Sequence, residues 1–113
     1  MKTILGLTEK ITIFADSKER TAIARIDTGA SKSSIDRELA HKLGLNNVLK
    51  TTKIRSASAG IKERPVIKVK IKIKGKVISG YFTLADRHEM LYRVLIGRNI
   101  LRKENFLIDP SIK

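Results

Sequence analysis

The 113-residue sequence has no cysteine and no tryptophan, only two prolines, and five aromatic residues: Phe14, Tyr81, Phe82, Tyr92 and Phe106. Without cysteine there is no disulfide, no thiolate nucleophile and no Cys-based zinc site. So few rings offer little platform for stacking unpaired bases, which disfavours single-stranded nucleic acid as a partner. Acidic residues are scarce too: 11 Asp and Glu stand against 24 Lys and Arg, for a net charge of +13. A field of that size attracts polyanions and acidic peptides; a solvated, lysine-rich surface is the alternative origin of the charge. Long apolar runs are also missing. Ile4-Leu5-Gly6-Leu7 is too short for a signal-peptide core or a membrane span, so the expectation is a soluble, cytoplasmic protein without membrane association.

What is present is an ordinary globular composition, 42% hydrophobic, at a length that suits a single domain over residues 1–113. The ends, Met1 to Lys10 and Ser111 to Lys113, carry the least structural signal and are expected to be uncommitted. Between them the chain reads as short strands: Ile11 to Phe14, Thr21 to Ile26, Val77 to Leu84, Val94 to Ile96 and Phe106 to Ile108. The clearest is Ile67 to Lys74, where Ile67, Val69, Ile71 and Ile73 alternate with Lys68, Lys70, Lys72 and Lys74. A period of two places the apolar four on a buried face and the lysines on a wet one. Lys74-Gly75-Lys76 reads as a hairpin turn. One helix begins at the N-cap Asp36, with Glu38 in its first turn, Leu39 and Leu43 on one face, and Gly44 to end it. A second short helix spans Asn99 to Lys103. Short strands at even spacing with few helices define an all-β barrel or sandwich.

Most catalytic signatures are missing: no H-E-x-x-H, no G-x-S-x-G, no Gly-rich phosphate loop. His41 and His88 stand apart and read as surface residues, so no metal ligand set and no cofactor is expected. Ser31, Ser33 and Ser34 read as turn or cap residues. What remains is Ile26-Asp27-Thr28-Gly29-Ala30-Ser31, a carboxylate at a strand end followed by a small hydroxyl residue and a glycine. If two such loops meet, two carboxylates at short range share one proton. One then activates water as general base while the other polarises a peptide carbonyl. A chain with one such loop needs a twofold homodimer. On the triplet alone, Asp27 as a strand-end Asx-turn residue is the stronger reading.

A second stretch changes that balance. Val94-Leu95-Ile96-Gly97-Arg98-Asn99-Ile100-Leu101 follows the Asp27 loop in the order found in retropepsins, the single-lobed aspartic peptidases, and the chain resembles that family over roughly Ile11 to Ser111. More narrowly, Arg64-Pro65-Val66, Leu84-Ala85-Asp86-Arg87, Leu95-Ile96-Gly97-Arg98 and Phe106-Leu107-Ile108-Asp109-Pro110-Ser111 are similar to the prokaryotic, RimB-like group long labelled "ATP-dependent zinc protease". That group is associated with RimK-type ligases, which add glutamates to protein C-termini. The resemblance implies a retropepsin-like closed β-barrel and an aspartic endopeptidase acting as a homodimer on peptide or protein substrates, including acidic, Glu-rich tails. It implies Asp27 as the catalytic aspartate, Thr28 as a lock between the paired loops, and Gly29 and Ala30 beside the substrate backbone. Gly97 would lie beneath the loop, and Ser56 to Gly60, with Ser58, Ala59 and Gly60 at its tip, would be the flap. Viral members carry an acidic residue after D-T-G-A that pairs with the arginine of the second motif. Here Ser31 takes that place, which leaves Arg98 either to pair elsewhere or to grip a substrate carboxylate with its free fork. Two rival readings use the same residues: a non-catalytic peptide-binding module on this fold, and a basic nucleic-acid or ribosome-associated β-domain.

Overall fold

The computed structural model describes residues 2–56 and 60–113. The chain runs β1 (Thr3–Leu5), β2 (Thr8–Phe14), β3 (Glu19–Ile26), β4 (Ser33–Asp36), α1 (Arg37–Lys42), β5 (Lys50–Ser56), β6 (Gly60–Ile73), β7 (Lys76–Ala85), β8 (Val94–Ile96), α2 (Arg98–Leu101) and β9 (Phe106–Ile108). Strands pair in the order β2-β3-β8-β4-β7-β6-β5, and β2 also pairs with β6. That last pairing closes β2, β3, β8, β4, β7 and β6 into a six-stranded barrel, while β5 extends from β6 as the outer arm of a hairpin. The expected closed β-barrel with one or two short helices is what forms, with both helices present.

The lysine strand sets the barrel wall. Ile67, Val69, Ile71 and Ile73 are 2% exposed or less, and Lys68, Lys70, Lys72 and Lys74 are all exposed. The inward residues meet Ile11 and Ile13 of β2 and Ile78 and Phe82 of β7 in one core. The turn into β7 is the two-residue loop Lys74-Gly75, with φ of 49° and 78°. Two consecutive left-handed residues give a turn whose twist matches the flanking strands, which is why glycine belongs there. Helix α1 starts where expected: the Asp36 carboxylate accepts the Leu39 N–H. It ends on Gly44 at φ 76°, where the Gly44 and Leu45 N–H groups close back onto His41 O and Ala40 O.

Three expectations need correction. The N-terminal segment is structured: β1 lies parallel to β9, Thr3 opposite Phe106 and Leu5 opposite Ile108, and Leu5 is fully buried. At the other end, Ser111 donates from N and Oγ to Asp109 Oδ1, and Ile112 O accepts the Leu7 N–H. Each tail is too short to show a period, and each is ordered by pairing with the other. Ser33 and Ser34 are not turn residues; they are buried in β4, parallel to β7 and antiparallel to β8. The second helix starts one residue earlier than expected, at Arg98, and ends at Leu101. Among the described residues, no helix is long and apolar enough to cross a membrane.

Candidate active site

Asp27 follows directly on the end of β3. Parallel pairing of β3 with β8 sets Ile26 against Ile96, and the Asp27 N–H continues the ladder by donating to Ile96 O at 2.9 Å. The chain then turns sharply: Ala30 N donates to Asp27 O at 3.3 Å and Gly29 N to Asp27 Oδ1 at 2.9 Å. The Asx turn and the carboxylate loop are therefore the same object. An ideal Cβ on Gly29 would lie 3.2 Å from Asp27 Oδ1, so a side chain there would press on the carboxylate.

The second motif holds this loop from below. Arg98 N donates to Ala30 O and Arg98 Nη1 to Thr28 O, both at 2.8 Å. Gly97 is pressed so closely on the loop that a Cβ would overlap Lys32 O and stand 2.9 Å from Ala30 O. Buried Ser33 ties the two motifs together. Its hydroxyl accepts the Gly97 N–H at 2.8 Å and donates to Asn99 Oδ1 at 2.7 Å, and Asn99 Nδ2 donates to Tyr81 O at 2.9 Å. A buried hydroxyl with both roles filled fixes geometry, because losing either partner would strand a polar group away from water. Arg98 thus has a partner after all: a backbone carbonyl of the loop takes the place of the missing acidic side chain.

An open cleft of about 500 Å³ lies beside the loop. Gly29, Ala30 and Ser31 form one wall, Ser34, Thr83 and Leu95 lie along the barrel, and Ile54 comes from the hairpin. Five cationic residues complete it: Lys32, Lys53, Arg55, Arg64 and Arg87. Asp27, Thr28 and Arg98 are not among the lining residues. Among the described residues none of those five forms an ion pair. The Arg87 guanidinium is positioned by its Nε donating to Tyr92 O and by its backbone N donating to Asp36 Oδ1. Burial, reinforced by the charges of Arg25 and Arg64, holds its pKa below the usual arginine value despite Asp36 and Asp27 nearby. Crowded cations in a partly desolvated cleft raise one another's energy until an anion enters. No local sequence signal marks Arg64 and Arg87, which come from β6 and from the turn after β7. Only the tertiary fold brings them beside Ala30.

Gly60 closes the hairpin opposite Ser56, at φ 72°. Ser58 and Ala59, the expected flap tip, lie outside the described residues. His41 and His88 are both exposed. His88 Nδ1 lies 2.5 Å from Asp86 Oδ1, and that hydrogen bond raises the His88 pKa and lowers that of Asp86. Among the described residues, no three His, Asp or Glu side chains come together as a metal site.

Residues 36–113 match the model of the RimB-like family, described as retropepsin-like aspartic endopeptidase RimB. The chain belongs to that family. The match begins beyond the Asp27 loop, and no curated protein matches the chain. Solved structures supply the fold of the remainder. A Legionella pneumophila protein of unknown function covers 100% of this chain and 97% of its own length, at a TM-score of 0.71 and 23% identity. The EIAV protease covers 85% of each chain at 0.63 and 24% identity. The simian foamy virus protease covers 84% of this chain and 91% of its own at 0.62 and 16%. At these identities the likeness establishes the retropepsin fold and no more.

Proposed function

We propose that this protein is an aspartic endopeptidase, that it works as a homodimer pairing Asp27 of two copies, and that it prefers acidic, Glu-rich peptides. The observation that carries this reading is the pinned Asp27 loop, whose Gly29, Ala30 and Ser31 wall a cleft that also holds Lys32, Lys53, Arg55, Arg64 and Arg87. A carboxylate held by hydrogen bonds on a rigid strand end costs little to reorganise during reaction. Paired with its twin, it shares one proton; the ionised member takes a proton from water and the protonated member donates to the carbonyl oxygen. Thr28 then faces its twin across the axis, and Gly29 and Ala30 lie along the substrate backbone. Substrate carboxylates relieve the crowding around Arg87 and Arg64, which makes these two the specificity residues. Arg98 acts on substrate through the loop it clamps at Thr28 O.

The terminal sheet supports the dimer. Ile26 N donates to Leu7 O at 2.9 Å, so the chain between β1 and β2 abuts the Asp27 loop. Ile4, Leu7, Leu107 and Ile112 are 42–48% exposed on and around that sheet, an apolar set that a second copy would cover. The test is peptide hydrolysis by Asp27→Asn, which keeps the shape and removes the acid–base group. Its rate on a Glu-rich peptide should fall by about 10²–10⁴ while the fold survives and a zinc chelator leaves the wild type unaffected. Full activity in the variant excludes the mechanism.

A further inference from the structure

The barrel carries a second basic surface, on the opposite side of the β6 wall from its apolar core. Cross-strand register assembles it. Lys72 stands between Thr12 of β2 and Val77 of β7, Lys70 between Phe14 and Ser79, and Lys68 opposite Tyr81. Lys10, opposite Ile23 of β3, continues the face. Successive lysines along β6 are about 6.6–6.8 Å apart, two residues of strand rise. They form a row of cations that, unlike the half-buried Arg64 and Arg87 of the cleft, is exposed to water along its whole length. Among the described residues Lys68, Lys70 and Lys72 form no ion pair; Lys74, in the turn, reaches Glu9 at 3.8 Å. In these register rows the carboxylate is Glu19, opposite Phe14 at the strand end.

The rings on this face show how a polyanion would be read. The Lys70 ammonium sits 5.7 Å from the Phe14 ring centroid, and Lys50 covers the Tyr81 ring at 5.1 Å. Both rings are thus capped by cations and are poor platforms for unpaired bases, which single-strand binding requires. What the face offers is regularly spaced positive charge, the chemistry that neutralises phosphates without reading sequence. An acidic peptide has the concave cleft, which Arg55, Arg64 and Arg87 line together; the lysine row on the outer face of β6 has no such convergence.

We propose that the outer face of β6, through Lys68, Lys70 and Lys72, docks the phosphate backbone of a nucleic-acid duplex. This stands independently of the peptidase reading, since it uses none of the residues around Asp27. The test is fluorescence anisotropy with a labelled 20-base-pair RNA duplex across a salt series, using wild type, the triple variant Lys68→Gln, Lys70→Gln, Lys72→Gln, and its Lys→Arg counterpart. Wild type should bind with a log–log salt slope that flattens by about three in the Gln variant, roughly one per lysine removed. Affinity at low salt should fall at least about tenfold, and the Arg variant should bind like wild type. Arg64→Gln in the cleft should leave duplex binding unchanged. No binding by the wild type, an unaltered slope in the Gln variant, or loss on Arg64→Gln overturns the proposal. So does a Glu-rich peptide whose binding falls in step with that of the duplex in the Gln variant, since the face would then be a peptide site.

Discussion

Strand β6 is one element with two lives. From Val66 to Ile73 it is barrel wall: one side buried in the core, the other a row of exposed lysines. From Gly60 to Pro65 it is the inner arm of a hairpin projecting from the barrel, paired with β5, exposed over Gly60 to Glu63, and even Ile61 is 61% exposed. Both halves are basic, yet their charges do different work. A lysine on the wall is surrounded by water and acts through its field alone. Arg64 on the hairpin faces a cleft shared with Arg87, where desolvation strengthens every interaction with an entering carboxylate. Burial on one side gives the wall its stability, whereas the specificity proposed for the cleft rests on its concavity.

The largest effect that can test this division is on stability. Ile71→Ala in the wall should cost about 2–5 kcal/mol, as truncation of a buried side chain does, whereas Ile61→Ala in the hairpin should stay within about 0.5 kcal/mol. Denaturant melts of both read this directly, and equal losses would mean the hairpin is part of the core. Lys70→Ala should also be close to silent in the same assay.

A smaller effect separates the two kinds of cation. Arg64→Ala should lower kcat/KM for a Glu-rich peptide by about tenfold, the ~1.4 kcal/mol expected of one charged hydrogen bond, with little change for a neutral peptide. Lys70→Ala should leave both rates near wild type. The preference for the acidic peptide should weaken with salt, but less steeply than duplex binding on the lysine face, because exposed charges are screened over ~8 Å at physiological ionic strength and partly buried ones much less. Similar salt dependence at both surfaces would erase the distinction between them.

How much of this could be read from the sequence depended on whether the deciding contacts are local. The wall of β6 was legible because an apolar residue recurs at every second position, and α1 because Asp36, Leu39, Leu43 and Gly44 each do their work within the helix. Asp27 and Gly97-Arg98 were legible as a pair of motifs, although the clamp between Arg98 and Thr28 O was not, since backbone acceptors leave no trace in side-chain identity. Strand β4 was missed because Ser-Ser-Ile-Asp has turn chemistry on its face. Ser33 is a strand residue only because Gly97 N and Asn99 Oδ1 satisfy its hydroxyl across a span of more than sixty residues. The cationic cleft leaves no local signal for the same reason, since Lys32, Lys53, Arg55, Arg64 and Arg87 meet only in the folded chain.

The smallest expected effect lies on the exposed turn after β7. His88 gains from Asp86 a pKa above its ordinary ~6.5, and Asp86 falls below its ordinary ~3.9. The histidine's contribution is complete below pH ~6.5 and fades as pH rises through its raised value. The carboxylate's is complete above ~3.9 and fades as pH falls through its lowered value. The pair is therefore strongest between those limits. His88→Asn should shift the melting temperature most inside that window and only slightly, because both groups are solvent-exposed, with the shift fading as pH rises through the raised His88 value; a shift of equal size at pH 9 would assign it to packing.

The central claim, that one catalytic centre is built from two copies of Asp27, is tested most directly by mixing. Wild-type protein held at fixed concentration is equilibrated with increasing Asp27→Asn protein, and the rate on a Glu-rich peptide is followed. If two carboxylates must meet, mixed dimers carry only one, and the rate should fall toward zero as the variant comes into excess. A rate that stays constant however much Asp27→Asn is added would show that each chain acts alone and would contradict the account.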